Sequence, residues 1–261
     1  MVNNAPIVVF DSGLGGISYL NYLQSFYNEK FIYVADSAGF PYGTKSPQQL
    51  TELLLNLIDL LKTFKPKAIV IACNTATLTA KEQIAQQLAI PVIGTRPPLA
   101  VALRQSINKQ IGLLATQATI NNPVLLNDIT TFKQASFSLL AAPQLVEFVE
   151  NKLWQATKQE RLAAAADYAQ HFLTKNIDSL ILGCTHFLFL KEEFEQLLPD
   201  IKLIDSLNEV KEELARQLKL PMTGPSTKLA GLYTTNNQDS AKIHSFCRYA
   251  GLEYKGKLTA G

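Results

Sequence analysis

What most limits the fold of this chain is its rhythm, in which short, almost wholly apolar runs are each followed by a longer stretch of helical period. The runs are Ile7–Phe10, Phe31–Ala35, Ala68–Ala72, Val92–Gly94, Ile111–Leu114, Phe137–Leu140, Leu180–Leu182, Leu203–Ile204 and Ala230–Tyr233. Strands this short and this apolar are covered on both faces, and strands separated by helical stretches form parallel sheets with crossover helices. The reading is an α/β protein. Its clearest helix start is Ser46-Pro47-Gln48-Gln49, where Ser46 and Gln49 suit a capping box and Pro47 the first helical position. Leu50, Leu53, Leu54, Leu57, Leu61 and Phe64 then form an apolar stripe for the core.

The rhythm also repeats. Ala68-Ile69-Val70-Ile71-Ala72-Cys73-Asn74-Thr75 and Ser179-Leu180-Ile181-Leu182-Gly183-Cys184-Thr185-His186 each set a cysteine behind an apolar strand and a small residue, with hydrogen-bonding residues following. The openings Ile7-Val8-Val9-Phe10-Asp11-Ser12 and Ile111-Gly112-Leu113-Leu114-Ala115-Thr116 correspond in the same way. The pattern predicts two pseudosymmetric parallel-sheet α/β domains. Pro97-Pro98 marks the crossing between them, and a helix near Leu207–Leu218 with a strand near Leu232 returns to the first. The expected domains are a discontinuous Cys73 half, residues 1–96 plus 208–261, and a Cys184 half, residues 97–207.

Composition narrows the function. In 261 residues a net charge of +2 is too even for a partner held by phosphate neutralisation, so no nucleic acid is expected. With 47% hydrophobic and 18% charged residues the chain is not disordered, and no apolar run approaches the roughly 20 residues that span a bilayer. The first basic residue is Lys30, so no export signal is read at the N-terminus. Cys73, Cys184 and Cys247 are odd in number and lack CxxC spacing, which argues against a disulfide framework or zinc ribbon. No metal or cofactor is expected, and free thiols fit a cytoplasmic location.

Cys73 and Cys184 follow their strands at the carboxyl ends, where open α/β sheets bind ligands and helix N-termini favour thiolate. The competing reading is a small buried hydrophobe, which Cys247 takes within the amphipathic run Ala241–Ala250. Two thiols facing each other across a Cα carbon suffice for a racemase or epimerase: one thiolate removes the proton and the other thiol delivers one to the opposite face. Asp11-Ser12-Gly13-Leu14-Gly15-Gly16 is a glycine-rich turn after the first strand, but Ser18 stands where a dinucleotide fingerprint needs its third glycine. Asp11 serves better to orient or deprotonate a thiol, or to receive an ammonium group. The loop Asp36-Ser37-Ala38-Gly39-Phe40-Pro41-Tyr42-Gly43 is read as closing over the ligand. Of the histidines only His186 lies beside a thiol; His171 and His244 take ordinary helix positions.

At these residues the chain resembles the glutamate racemases, within the aspartate/glutamate racemase superfamily. The family's DSGxGG, DxAxxPYG, ACNTA and GCTH motifs occur in order as Asp11–Gly16, Asp36–Gly43, Ala72–Ala76 and Gly183–His186. The resemblance implies that Cys73 and Cys184 are the two catalytic bases, that Asp11 assists Cys73 and His186 assists Cys184, and that Glu150 supports His186. It implies that Ser12, Pro41, Tyr42, Gly43, Asn74, Thr75 and Thr185 hold the substrate, with Thr116 and Thr119 as further contacts. It further implies cofactor-independent interconversion of L- and D-glutamate for peptidoglycan synthesis, an active site between the two domains, and room for a homodimer. Departures are Phe187-Leu188 for the family's Tyr-Pro, Ala142 for a common Cys, Ala118 for a common Gly, and Arg96 within an apolar stretch. They leave the bases intact and bear on specificity and rate. The alternatives are a superfamily racemase for aspartate or another small acidic substrate, and a non-catalytic amino-acid-binding regulatory protein.

Overall fold

The computed structural model describes residues 4–226, 230–236 and 240–258. The chain forms two compact units, Met1–Thr95 with Leu207–Gly261, and Arg96–Ser206. The first begins with β1 (Ile7–Asp11), α1 (Ile17–Gln24), β2 (Phe31–Ala35), α2 (Pro47–Leu61), β3 (Ala68–Ile71), α3 (Asn74–Gln86) and β4 (Val92–Gly94). The second holds α4 (Leu99–Gln105), β5 (Gln110–Ala115), α5 (Gln117–Ile120), α6 (Pro123–Thr131), β6 (Ser136–Ala141) and α7 (Pro143–Asn151). It continues through α8 (Lys158–Leu173), β7 (Ser179–Leu182), α9 (Lys191–Leu197) and β8 (Lys202–Ile204). The chain then returns to the first unit as α10 (Leu207–Leu218), β9 (Gly231–Thr234), α11 (Ser240–Ala250) and β10 (Glu253–Lys257).

Both sheets are parallel throughout their described pairings. The first runs β10-β9-β2-β1-β3-β4 and the second β6-β5-β7-β8. Four strands therefore recur in one order, with β1, β2, β3 and β4 answering to β5, β6, β7 and β8. In each sheet the order reverses about the first strand of the repeat, so a switch point opens beside β1 and β3 in one unit and beside β5 and β7 in the other. Every residue of β1, β2, β3 and β7 is buried, which is why these strands read as unbroken apolar runs.

Local signals account for the element ends. Ser46 Oγ accepts from the Gln49 amide at 3.2 Å while Gln49 Oε1 accepts from the Ser46 amide at 3.1 Å, completing the capping box at α2. The stripe residues Leu50, Leu54, Leu57 and Leu61 are buried beneath it, and the helix tightens into a 3-10 turn at Lys62–Phe64. Helix α1 stops at Gln24, where Ser25 Oγ turns back onto the Tyr22 carbonyl at 2.6 Å. Strand β10 lies outside the sequence reading altogether. Its residues Glu253-Tyr254-Lys255-Gly256-Lys257 form a charged edge strand, broken in register between Tyr254 and Gly256, and charge on an edge protects it from pairing with other chains. Among the described residues no helix is long and apolar enough to cross a membrane.

The turn after β1 is packed too closely for any side chain at its last glycine. A Cβ on Gly16 would lie 2.7 Å from Ala72 Cβ and 3.0 Å from both Asp11 Cβ and the Tyr33 hydroxyl. That hydroxyl donates to the Gly13 carbonyl at 2.7 Å and fixes the turn against β2. Gly16→Ala is expected to lower stability by about 1–3 kcal/mol through overpacking, read as a lower urea midpoint with an unchanged slope.

Candidate active site

In the first unit the functional side chains stand at the carboxyl ends of β1, β2 and β3. Asp11 ends β1 fully buried, and its Oδ1 accepts from the Ser12 amide at 2.6 Å and lies 3.4 Å from the Ser12 hydroxyl. The parallel register that pairs Phe10 with Ile71 continues as the Ala72 amide donates to the Phe10 carbonyl at 2.8 Å, so the chain enters Cys73 beside Asp11. Cys73 has an extended backbone and is the N-cap residue of α3, a helix of 13 residues. Cys73 therefore stands at the positive end of a full helix dipole, which stabilises negative charge on its sulfur. Asn74 and Thr75 form the buried first turn, and Asn74 Oδ1 is buried with no hydrogen-bond partner among the described residues. An orphaned buried carbonyl is costly, and a substrate ammonium group would satisfy it.

The Asp36–Gly43 loop supplies the third wall. After a cis Phe40–Pro41 peptide the chain makes a 3-10 turn at Tyr42–Thr44, with the Tyr42 ring buried. The Tyr42 hydroxyl donates to Asp36 Oδ2 at 2.7 Å. Burial, then the Asp36 charge and hydrogen bond, and then the charges of Cys73 and Asp11, hold the phenol well above its ordinary range near 10. Tyr42 is thus a neutral group whose only hydroxyl proton is already committed, and the same electrostatic coupling ties it to Cys73 and Asp11. The sequence marks Asp36 only as the start of the loop and its motif, without a role at the site; its signal is its place directly after β2, one position beyond the Asp11–Ala35 pair.

In the second unit Cys184 occupies the corresponding place behind β7, again with an extended backbone. Here the expectation of a helix after the thiol is corrected. Thr185–Leu190 is a 3-10 segment, and the α-helix begins only at Lys191. A 3-10 segment so short carries little dipole, so the sulfur depends instead on side chains. His186 Nδ1 lies 3.6 Å from Cys184 Sγ, and His186 Nε2 lies 2.7 Å from Glu150 Oε1 in the last turn of α7. All three residues are buried. Burial alone would lower the imidazole pKa, but the hydrogen bonds to Cys184 and Glu150, with their charges, outweigh it and hold His186 well above 6.5. As an imidazolium, His186 donates through both nitrogens, to the sulfur and to the carboxylate.

Thr185 is buried beside Cys184, while Thr116 stands after β5 as the N-cap of α5. Thr116 Oγ1 accepts from the Thr119 amide at 3.2 Å, and the two hydroxyls lie 3.0 Å apart. Both threonines therefore shape the end of β5 in addition to any contact with substrate. Phe187 and Ala142 are fully buried, an apolar ring and a methyl group filling core space at the two departures nearest Cys184 and α7. Cys247 is buried away from these clusters, and burial pushes its thiol up to about 11, the behaviour of a packing residue. Among the described residues no group of three or more His, Cys, Asp or Glu side chains forms a metal cage.

The model of the family described as Asp/Glu/Hydantoin racemase matches residues 24–214. A glutamate racemase from Clostridium perfringens is 34% identical over 247 residues, covering 93% of this chain and 94% of the relative. Among solved structures, Escherichia coli glutamate racemase in complex with L-glutamate and the activator UDP-MurNAc-Ala superposes with a TM-score of 0.86 at 27% identity, over 99% of this chain and 100% of that one. Glutamate racemase from Francisella tularensis in complex with D-glutamate gives 0.78 at 29% identity, over 100% of this chain and 98% of that one.

Proposed function

The chain belongs to the Asp/Glu/hydantoin racemase family and is an amino-acid racemase, and on that premise we propose that it interconverts L- and D-glutamate by two-base chemistry with Cys73 and Cys184 as the bases. The observation that carries this reading is the repeat itself. One strand order recurs in two sheets, and a buried thiol follows the equivalent strand in each, beside the switch point.

In the proposed reaction the thiolate of one cysteine takes the α-proton and becomes a thiol, leaving a carbanion-like centre at Cα. The thiol of the other cysteine gives its proton to the opposite face and becomes a thiolate. The charge has moved from one sulfur to the other, and the reverse turnover restores it. On the Cys73 side the α3 N-terminus stabilises the sulfur anion, Asp11 assists, and Asn74 and Ser12 receive the amino group in this reading, which the unpartnered Asn74 Oδ1 supports. On the Cys184 side the His186 imidazolium, held by Glu150, stabilises the charge left on sulfur. Pro41, Tyr42, Gly43, Thr75, Thr185, Thr116 and Thr119 complete the substrate contacts in this reading. Product D-glutamate supplies peptidoglycan synthesis, and three free thiols suit a cytoplasmic enzyme.

The test is incubation of the intact chain with single enantiomers in D2O, followed by chiral chromatography and mass spectrometry. L-Glutamate is expected to yield D-glutamate carrying one deuterium at Cα, with aspartate turned over at least about 100-fold more slowly, because one methylene misplaces the side-chain carboxylate and with it the reacting carbon. Faster turnover of aspartate would redirect the reading within the family. Binding without deuterium uptake would leave only a regulatory amino-acid-binding role.

A further inference from the structure

We propose that Asp36 is a positioning residue of the racemase, a buried clasp that ties the loop bearing Pro41, Tyr42 and Gly43 to the returning strand β9. The inference rests on the reading of that loop as a substrate contact, and it adds a residue and a segment to which that reading gives no role.

Asp36 is only 4% exposed and has no cation in ion-pair range among the described residues. Two hydroxyl groups carry its carboxylate. Tyr42 donates to Oδ2 at 2.7 Å and Thr235, just past β9, donates to Oδ1 at 2.6 Å. A carboxylate buried without a cation is a poor choice for stability alone, since an apolar residue of similar volume would do as well or better. What the carboxylate contributes is the placing of the two hydroxyl groups that it holds.

What the geometry does follows from the remaining bonds. Beside the Asp36 contact, the Ala38 amide donates to Thr235 Oγ1 at 2.9 Å, Ser37 Oγ donates to Asn236 Oδ1 at 2.6 Å, and Asn236 Nδ2 donates to the Ser37 carbonyl at 3.1 Å. The first residues of the loop are thus laced to Thr235 and Asn236, about two hundred positions later in the chain. At its other end Asp36 is anchored to the site, because its amide donates to the Asp11 carbonyl at 2.8 Å. The loop is also drawn in so tightly that a Cβ on Gly39 would overlap Asp36 Oδ2 and press on the Tyr42 ring. Asp36 therefore holds the Tyr42 hydroxyl proton and fixes the Tyr42 ring, and with it the turn that carries Pro41 and Gly43. The return of the chain to the first sheet, as α10 and β9, is what brings the second hydroxyl donor to Asp36.

The experiment compares the full chain with Asp36→Asn, Thr235→Val, Tyr42→Phe and the Asp36→Asn/Tyr42→Phe double variant. Steady-state racemisation is combined with amide hydrogen exchange of the peptide spanning residues 37–44 in the absence of substrate. Asp36→Asn is expected to raise KM for glutamate about tenfold with kcat within about threefold, since a hydrogen-bonded charge is lost from loop placement and not from proton transfer. Thr235→Val is expected to move KM the same way by a smaller factor. The double variant is expected to be no worse than the poorer single one, because both changes open one clasp. Exchange of residues 37–44 should quicken in Asp36→Asn and Thr235→Val while the strands keep their protection. Unchanged exchange of the loop, a fall confined to kcat, or additive effects in the double variant would overturn the clasp. If the unaltered chain fails to racemise glutamate, the functional reading falls, whereas the exchange measurement still decides whether Asp36 and Thr235 hold the loop.

Discussion

Replacing either Cys73 or Cys184 with serine will lower racemisation about a thousandfold, while each variant continues to exchange the α-proton of one enantiomer and not the other. The size follows from the loss of one positioned acid–base group, worth about 10²–10⁴ in rate, or roughly 4 kcal/mol of barrier for a thousandfold loss. A free thiol ionises near pH 8.5 and supplies a useful fraction of anion near neutrality, whereas the hydroxyl of serine does not. The rates of the two directions cannot by themselves tell the sulfurs apart. Enantiomers have equal free energies, so the equilibrium constant is one, and kcat/KM must fall by the same factor for L- and D-glutamate in any variant. Deuterium separates the faces. A remaining thiolate can remove the α-proton on its own side and return a solvent deuteron there, giving exchange without inversion. Cys73→Ser and Cys184→Ser should retain opposite enantiomers as exchange substrates, and the double variant should retain neither. Exchange of the same enantiomer by both single variants would assign both sulfurs to one face and end the two-base reading. Cys247→Ser, at a thiol pushed up to about 11 by burial, provides the control, with its effect confined to stability.

The sequence carried the features that depend on neighbours along the chain. The strands of both sheets except β10, the capping box at Ser46, and the equivalence of Cys73 and Cys184 were all legible because apolar runs, cap residues and repeats are local signals. Strand β10 was not, since an edge strand with Glu253, Lys255 and Lys257 has the composition of a loop and gains its conformation by pairing with β9. The 3-10 segment after Cys184 was equally hidden, because a strand followed by apolar residues is compatible with an α-helix or with the tighter turn. The contact of Glu150 with His186 reached the sequence reading only through family resemblance, as periodicity alone would have made Glu150 a solvated helix charge. Asp36 opens the family's DxAxxPYG motif, but the resemblance assigns it no role. Its meaning depends on Thr235, which only the tertiary fold brings to it. Local pattern thus located the thiols, family resemblance added Glu150, and the Asp36 contact is made only by the tertiary fold.

The largest effect outside the thiols is expected at Glu150. Glu150→Gln keeps the shape of the side chain and a polar atom near His186 Nε2 but removes the carboxylate that helps hold the imidazole well above 6.5 against its burial. Loss of a hydrogen bond to a charged group is worth roughly 1.5–3 kcal/mol, so kcat/KM should fall about 10- to 100-fold. With that carboxylate gone, burial pulls the His186 pKa down and the imidazolium that faces Cys184 is lost at lower pH. The alkaline limb of kcat/KM should move to lower pH in the variant, and the ring resonances of His186 should titrate earlier. The stability effect has a definite sign. A histidine raised in the folded state above its unfolded value near 6.5 contributes stability that is full below about 6.5 and fades as pH rises through the folded value. The unaltered chain should therefore exceed Glu150→Gln in urea midpoint most clearly near pH 6, with the gap narrowing steadily toward alkaline pH. A gap that stays constant or widens with pH, together with an unmoved alkaline limb, would mean that Glu150 does not hold a charged His186 and that Cys184 relies on some other group for its proton traffic.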